Sequence, residues 1–310
     1  MTDAPAAPRG VYAALPCPLT ADFDVDAAPL AALAARLAAA AGVSGFLLNG
    51  HAGENAVLPL EAQLRVVGIV RAAAPGAYLV AGVNAESALV AAAHAAGLEA
   101  AGADALMVFP PNGWALYVER EMALAHHRAV IEATTAPIML YQASISAGRM
   151  AHGPDTLAAL CALPRVVGVK EGSWEVAAYE ANRRLVKATR PQVAVYGSGD
   201  EHLLTSFVIG SEGSLVSLAA VAPEPVATLF AAVERGDLDA ARAAHERIYP
   251  LARAIYREPP GGRANARLKT CLALQGHFPS DRMAPPTPET PAQERAALRA
   301  ALVHAGALDA

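Results

Sequence analysis

The sequence predicts an α/β protein: a (β/α)₈ barrel, or TIM barrel, with a C-terminal helical extension. Apolar runs of strand length alternate along the chain with longer alanine-rich segments of helical spacing, which is typical of βα units. The chain has 310 residues, and a barrel of this kind occupies about 250 residues as a single domain. A hydrophobic fraction of 54% against 17% charged residues provides enough apolar material for one large core.

Eight such strands are predicted, at residues 11–19, 45–49, 78–83, 105–110, 137–142, 166–171, 192–199 and 213–218. Their nearly continuous Val, Leu, Ile and Ala content fits parallel strands that are buried on both faces. Eight repeats favour closure into a barrel. An open doubly wound sheet usually has fewer strands, and its dinucleotide-binding form needs a glycine fingerprint after the first strand, where this chain has PCPLT.

After the eighth strand the alternation stops and only helical segments follow. They are predicted at residues 223–235, 238–256, 265–274 and 291–304. Asp237 is a suitable N-cap, and Gly236 and Gly276 are suitable helix ends. We therefore predict a barrel domain over residues 10–235 and a C-terminal helical domain over residues 236–310.

Charge and cysteine content narrow the range of partners. A formal net charge of −5 gives no basic surface for nucleic acid, so a small-molecule partner is favoured. Cys17, Cys161 and Cys271 lie far apart, which predicts buried thiols in a reducing compartment rather than disulfides or a zinc site. The sequence MTDAPAAPRG lacks the basic start and apolar run of a secretory signal. We expect a cytoplasmic protein that binds neither nucleic acid nor membrane.

Two polar residues at strand ends are the first candidates for chemistry, because the site of such a barrel lies at the C-terminal ends of its strands. Lys170 ends an apolar run, and burial there would lower its pKa and supply a neutral amine for attack on a carbonyl. From position alone, an ion pair with Glu171 or another carboxylate at the rim is equally favoured. Tyr141 ends the preceding strand, about 4.8 Å away, so its phenol can exchange protons with the amine or serve only as a rim residue.

The sequence GHAGE at residues 50–54 follows the second predicted strand. Its two glycines, Gly50 and Gly53, allow the backbone to approach a ligand closely, and successive N–H groups in such a turn can bind a carboxylate. A tight connection in which Glu54 starts the next segment is the alternative interpretation.

Taken together, these motifs resemble the dihydrodipicolinate synthase and N-acetylneuraminate lyase family of DapA-like proteins. That family has a Gly-x-x-Gly-Glu loop after strand two, a tyrosine followed by glycine seven residues later after strand five, and Gly-x-Lys-Glu in strand six. The similarity runs from about Gly10 to the C-terminal helices. Its matching segments are residues 50–54, 141–148, 168–171 and 199–200, the PCPLT opening and Val221-Ala-Pro223.

The resemblance implies a class I aldolase or lyase that forms a Schiff base between Lys170 and a 2-oxo acid such as pyruvate. It implies Tyr141 as the proton shuttle, the 50–53 loop as the site of the substrate carboxylate, a homotetramer built from dimers, and neither cofactor nor metal. The expected substrate-binding residues are Gly50, His51, Ala52, Gly53, Asn112, Ser146, Gly199 and Leu215.

Departures from the family pattern argue against a true dihydrodipicolinate synthase. His51 and Ala52 stand where the family usually has Ser or Thr, and Asn112 lies in the stretch where the synthase branch places a tyrosine. Ser146 replaces an arginine that would bind a second substrate carboxylate. A neutral pocket suits a hydroxylated or aromatic aldehyde better than a dianion; we expect it to be lined by Asn112, Trp114, Gln142, Ser144 and Ser146.

Other functions stay open at this point. A dehydratase would use the same imine, and a barrel without turnover would bind a metabolite only. A metal-dependent aldolase is disfavoured because the nine histidines are scattered: His126 and His127 face different directions on one predicted helix. His202 is a possible second-layer residue, and most of the others are expected to be solvated on helices or loops.

Overall fold

The computed structural model describes residues 8–309, in which eight parallel strands follow one another in chain order around a closed barrel. This confirms the predicted fold class. The strands are β1 (Gly10–Ala14), β2 (Val43–Leu48), β3 (Tyr78–Val83), β4 (Ala105–Val108), β5 (Ile138–Gln142), β6 (Val166–Glu171), β7 (Ala194–Gly197) and β8 (Gly213–Val216).

Helices follow the strands, and the last four form the C-terminal part of the described chain. The helices are α1 (Ala27–Ala38), α2 (Leu60–Ala73), α3 (Ala88–Ala100), α4 (Arg120–Ala133), α5 (Pro154–Cys161), α6 (Val176–Thr189), α7 (Leu203–Ile209), α8 (Leu218–Val221), α9 (Pro223–Glu234), α10 (Leu238–Tyr256), α11 (Ala264–Leu274) and α12 (Ala292–Ala305). Short 3₁₀ turns lie after several strands, where the candidate site residues are found.

The predicted strand bounds differ from the observed ones mainly at strand ends. β3 and β6 match residue for residue, whereas β1 ends at Ala14 instead of residue 19. Pro16 and Pro18 have no N–H group to donate to a neighbouring strand, so the apolar run continues beyond the ladder.

Burial along the strands agrees with a parallel sheet that is covered on both faces. Every residue of β1, β4, β5, β7 and β8 is buried. In β6, Lys170 alone is partly exposed, and the other five residues are buried. A charged side chain at the end of an otherwise buried strand is the feature that singled out Lys170 in the sequence.

The chain divides into two compact units. One unit contains residues 78–215 together with Pro8 and Arg9, and its strands pair in the register Leu106↔Ile138, Tyr141↔Lys170 and Lys170↔Tyr196. The other contains residues 10–77 and 216–310, of which residue 310 lies outside the described part. The boundary at residues 235 and 236 remains a prediction.

The C-terminal helices and their ends agree with the sequence. α10 has the predicted bounds, and the carboxylate of Asp237 accepts a hydrogen bond from the amide of Ala240 at 3.0 Å, as expected of an N-cap. Gly236 and Gly276 follow α9 and α11 with φ of +74° and +75°, a left-handed conformation that ends a helix.

Two further predictions concern cysteines and membrane spans. The three cysteines are buried and free, as predicted. Among the described residues, no helix combines the length and the apolar character that crossing a membrane requires.

Candidate active site

Lys170 and Tyr141, the two residues predicted to carry the chemistry, are register partners on β6 and β5. The Lys170 Nζ atom lies 5.6 Å from the centroid of the Tyr141 ring, within the range of a cation–π contact. Tyr141 is buried, and its ring packs at a tilt of 40° against Phe109, with 4.7 Å between ring centroids. Phe109 therefore holds the Tyr141 ring on one side, and the neighbouring strand carries the Lys170 amine.

The Lys170 amine lies in surroundings that favour its neutral form. Burial lowers the pKa of Lys170 to about 8, and the carboxylate of Asp200 acts in the opposite direction. A neutral amine has the free electron pair that attack on a carbonyl requires. At a pH near 8, about half of the molecules carry that nucleophile.

Glu171, one of the carboxylates considered for a rim ion pair with Lys170, is bonded to other residues. Its carboxylate accepts hydrogen bonds from Asn182 Nδ2 at 2.8 Å and from the Ser173 hydroxyl at 3.0 Å. Its backbone carbonyl accepts from the Ser198 hydroxyl at 3.0 Å. Burial raises the pKa of Glu171. Because Asn182 of α6 and Ser198 after β7 both bond to Glu171, two elements fix the end of β6 next to Lys170.

Gly172 lies in close contact with Tyr141 and Gln142. Its amide donates to the carbonyl of Gln142 at 2.9 Å, and a Cβ atom at this position would lie 3.1 Å from the Tyr141 hydroxyl. The side chain of Gln142 is occupied elsewhere: its amide nitrogen donates to the carbonyl of His152 at 3.0 Å, and its oxygen accepts from the amide of His152 at 3.2 Å. Gln142 therefore holds the chain after β5 instead of facing a substrate.

The loops after β4 and β5 carry the other predicted pocket residues. Glu86 accepts from the amides of Asn112 at 2.9 Å and Gly113 at 2.8 Å, which fixes the exposed turn that contains Asn112. The hydroxyl groups of Ser144 and Ser146 are 2.8 Å apart. These two residues give the start of the loop after β5 polar, uncharged side chains. Arg149 lies later in the same loop, where its guanidinium donates to the carbonyl of Leu116 at 3.3 Å.

Trp114, one of the residues expected to line the pocket, packs against two histidine rings. It is buried, and its ring meets those of His126 and His152 edge-on, with centroid distances of 5.5 Å and 6.2 Å. An indole is a large apolar group, so packing under the loop removes more surface from water than an exposed position would. Packing therefore anchors Trp114, and its expected place in the lining of the pocket remains a prediction.

Gly199 and Leu215 lie in the unit that holds Lys170, after β7 and in β8. Gly199 precedes a 3₁₀ turn, Asp200–His202, in which Asp200 and Glu201 are buried. The side chain of Leu215 in β8 is fully buried. A Cβ at Gly199 would meet His202 at 3.4 Å, so His202 packs on the backbone of this turn.

The turn at residues 50–54 belongs to the second unit. His51–Gly53 form one turn of 3₁₀ helix, and the amides of Gly53, Glu54 and Asn55 bond to carbonyls of the same turn. The amide of Ala52, a buried residue, makes no hydrogen bond within residues 8–309. A Cβ at Gly53 would lie 3.3 Å from the carbonyl oxygen of Leu15, so the turn packs closely on the backbone after β1.

The histidines correct another expectation. Four of them are buried rather than solvated: His94, His126, His127 and His152. The last three form a cluster with neighbouring centroids about 6.0 Å apart, and burial lowers the pKa of each, to about 4 for His152. Within the described residues, no group of three or more His, Cys, Asp or Glu side chains is arranged to hold a metal ion.

Sequence reasoning missed the residues that support the site. Asn182 and Ser173 hold Glu171, and Lys269 in α11 forms a buried ion pair with Glu54. Two charged residues in the largely apolar helix α11 were the signal that could have found this pair. Arg267 and Lys269 lie two positions apart and therefore face different directions, and both are buried. Buried charges need partners inside the protein.

Comparisons with known proteins agree with this geometry. The model of the dihydrodipicolinate synthetase family matches residues 7–305. An uncharacterized DapA-like lyase from Halobacterium salinarum is 31% identical over 309 residues, 97% of this chain and 96% of the relative. A 4-hydroxy-tetrahydrodipicolinate synthase from Hyphomonas neptunium is 33% identical over 245 residues, 79% of this chain and 82% of the relative.

Solved structures show the same fold. A prophage protein of the dihydrodipicolinic acid synthase family from E. coli K12, in complex with pyruvate, superposes with a TM-score of 0.88 at 22% identity, over 97% of this chain and 99% of the other. A dihydrodipicolinate synthase from Thermotoga maritima gives a TM-score of 0.87 at 23% identity, with the same coverage. The family match over nearly the whole chain and the relatives above 30% identity show that this protein belongs to the dihydrodipicolinate synthetase family and is a lyase of the Schiff-base type that its sequence predicts.

Proposed function

We propose that Lys170 forms a Schiff base with a pyruvate-type 2-oxo acid, and that the enzyme makes or breaks a carbon–carbon bond through the resulting enamine. The observation that carries the proposal is the Lys170 amine, whose pKa burial lowers to about 8, next to the Tyr141 ring at 5.6 Å. The related E. coli protein was solved in complex with pyruvate, which supports the choice of substrate.

The proposed reaction begins when the neutral amine attacks the C2 carbonyl and gives a carbinolamine. Loss of water gives the imine, and loss of a proton from C3 gives the enamine. In the synthetic direction C3 of the enamine bonds to the carbonyl carbon of an aldehyde, and hydrolysis of the new imine releases product and Lys170; cleavage runs through the same steps in reverse. Each step up to the enamine moves a proton, so a donor beside the amine is needed.

Tyr141 is the proposed proton carrier. Burial raises the pKa of its phenol, so the hydroxyl keeps its proton at neutral pH and can donate it to the carbinolamine oxygen as water leaves. The Gly172 contact and the packing on Phe109 hold the ring, which limits the directions in which the hydroxyl can point.

The 50–54 turn is the proposed site for the substrate carboxylate, which would accept a hydrogen bond from the amide of Ala52, an amide without a partner in residues 8–309. His51 is exposed at the start of the turn and supplies an imidazole where the family usually has a hydroxyl. The backbone amide at position 52 is retained although its side chain is a methyl group, so carboxylate binding does not depend on the missing hydroxyl.

The acceptor is proposed to be a neutral, hydroxylated or aromatic aldehyde. Ser144 and Ser146 present hydroxyl groups, and Ser146 stands where the synthase branch carries an arginine for a second carboxylate. We therefore propose a lyase other than dihydrodipicolinate synthase. Kinetic measurements with neutral and dicarboxylic aldehydes test this, and turnover of dicarboxylic acceptors alone would contradict it.

The assembly and location are proposed on the same basis. We propose a cytoplasmic homotetramer built from two dimers, as the family resemblance implies, although one structural relative is described as a monomeric dihydrodipicolinate synthase variant. Sedimentation equilibrium of the full chain tests the tetramer, and a monomer at micromolar concentration would contradict it.

Exchange of pyruvate protons tests the proposed function without knowledge of the acceptor. In deuterated water, enamine formation replaces the C3 protons of pyruvate with deuterium, which proton NMR detects as loss of the methyl signal. We expect exchange with the wild type and none with Lys170→Ala. Exchange at the uncatalysed rate with the wild type would contradict the proposal. The same spectra with candidate hydroxylated substrates distinguish carbon–carbon cleavage from loss of water.

A further inference from the structure

A buried ion pair joins the end of the 50–54 turn to the C-terminal helix α11. The Lys269 ammonium contacts the Glu54 carboxylate, and the two side chains are 0% and 2% exposed. Each group has a second partner: the other oxygen of Glu54 accepts from the amide of Ala284 at 3.0 Å, and Lys269 also donates to the carbonyl of Arg282 at 2.7 Å. Both charges are therefore held by two contacts within the unit.

A second bond joins the same helix to the start of the turn. Asn265 Nδ2 donates to the carbonyl of His51 at 2.6 Å. Asn265 and Lys269 are four residues apart on α11, so they lie on one face of the helix. This face, which we define by Asn265 and Lys269, holds His51 at one end of the turn and Glu54 at the other.

Glu54 has a backbone conformation that needs such support. Its φ of 57° and ψ of 36° lie in the left-handed region, which residues other than glycine seldom adopt. A residue keeps such a conformation when its surroundings determine it by several contacts. The side chain of Glu54 makes two such contacts, both with the C-terminal segment.

Stability alone does not account for the pair. A buried ion pair is often no more stabilising than apolar residues of similar volume, because removing two charges from water costs about as much as their attraction returns. Apolar residues in these positions would not fix the orientation of the turn, because their contacts are not directional. The ion pair and the Asn265 bond set the positions of the residues on both sides of Ala52, whose amide has no partner among the described residues.

We infer that Asn265 and Lys269 of α11 are positioning residues that hold the 50–54 turn so that the amide of Ala52 is ready for the substrate carboxylate. The inference rests on the proposed function and extends it: the C-terminal helical segment contributes to substrate affinity through a turn that follows β2. Pre-organisation of a binding group matters because a displacement of about 1 Å can cost up to about 100-fold.

Two variants test the inference. Asn265→Ala removes the bond to His51 at a partly exposed position, where the risk to folding is small. Glu54→Gln/Lys269→Met removes both buried charges together, so neither is left unpaired. Two controls change bonds that lie away from the turn. Gln275→Ala, at the C-cap of α11, removes an amide that donates to the carbonyls of Val221 and Ala307, and Arg267→Met/Glu294→Gln removes an ion pair between α11 and α12 that has a buried member.

The measurement is the rate at which cyanoborohydride traps the pyruvate imine, followed by intact mass over a range of pyruvate concentrations. We expect each test variant to raise the half-saturating pyruvate concentration about tenfold or more while the maximal trapping rate stays unchanged. The controls should keep the wild-type value. Methyl pyruvate, which has no carboxylate charge, should be trapped at the same rate by all of these proteins.

The outcomes separate this inference from the proposed function. If the wild type traps no pyruvate, the proposed function fails and the inference fails with it. If the wild type traps pyruvate and Asn265→Ala keeps the wild-type half-saturating concentration, only the inference is overturned. A fall in the maximal rate with an unchanged half-saturating concentration, or an equal loss with methyl pyruvate, also overturns it, because a carboxylate-positioning role predicts neither.

Discussion

Gly172 lies against the hydroxyl of Tyr141 so closely that a Cβ atom there would come within 3.1 Å of that oxygen and 2.8 Å of the carbonyl oxygen of Gln142. Displacing a backbone carbonyl costs more free energy than displacing the end of a flexible side chain. We therefore expect Gly172→Ala to displace the Tyr141 ring and lower kcat for pyruvate-dependent turnover by about 100-fold, the cost of a misplaced catalytic group.

The matched control for this substitution is Gly153→Ala. A Cβ at Gly153 meets no atom within 4 Å in the described part of the chain, and its φ of −65° suits alanine. The kcat of Gly172→Ala should therefore be about 100-fold below that of Gly153→Ala in steady-state measurements. Equal activities would mean that the close packing under Tyr141 does not matter for turnover.

Removal of the Tyr141 hydroxyl separates proton transfer from packing. Tyr141→Phe keeps the ring against Phe109, and we expect kcat to fall by about 10² to 10⁴, the usual contribution of general acid–base catalysis. Tyr179→Phe is the control, since it removes another buried hydroxyl, the one bonded to Ser211. Wild-type turnover by Tyr141→Phe would exclude Tyr141 as the proton carrier.

The pH dependence of imine formation follows from the Lys170 pKa. Burial lowers that pKa to about 8, so the neutral fraction of the amine, and with it the trapping rate at low pyruvate, should rise with pH and level off above about 8. The Asp200 carboxylate raises this pKa, so Asp200→Asn should move the inflection to lower pH. Glu180→Gln, at an exposed ion pair, should not move it. An inflection near 10.5, the ordinary lysine value, would contradict a buried nucleophile.

The choice of acceptor is tested by restoring the arginine of the synthase branch. Ser146→Arg adds a cation to a loop in which Ser144 and Ser146 share a hydrogen bond, and we expect kcat/KM for a dicarboxylic aldehyde to rise about tenfold relative to a neutral one. Ser146→Gln, which adds length without charge, should leave the ratio unchanged. A ratio that rises equally in both variants would show that charge at this position does not select the acceptor.

The sequence was most informative where a strand is buried on both faces. β6 was predicted residue for residue, because an apolar run that ends in a charge has a single natural boundary at the barrel rim. The proximity of Tyr141 to Lys170 then follows from chain order, since consecutive strands of the barrel are neighbours. The first strand was overextended, because the apolar run continues past Pro16 and Pro18.

Contacts of individual side chains were less predictable. Alanine-rich helices are apolar on most sides, so their sequences do not show which face is buried, and His94 among alanines was wrongly expected in solvent. Both ends of the Gln142 side-chain amide bond to the backbone of His152, a contact that the sequence does not show. The ion pair between Glu54 and Lys269 joins residues far apart in sequence, a relationship that a single sequence does not contain.

The identity of the nucleophile is tested most directly by reductive trapping. The protein is incubated with pyruvate and cyanoborohydride, and the intact mass and a peptide digest are recorded for the wild type and for Lys170→Ala. We predict one pyruvate-derived adduct per chain in the wild type, located on Lys170, and none in the variant. An adduct that persists in Lys170→Ala, or a wild-type adduct on another lysine, would contradict the assignment of Lys170.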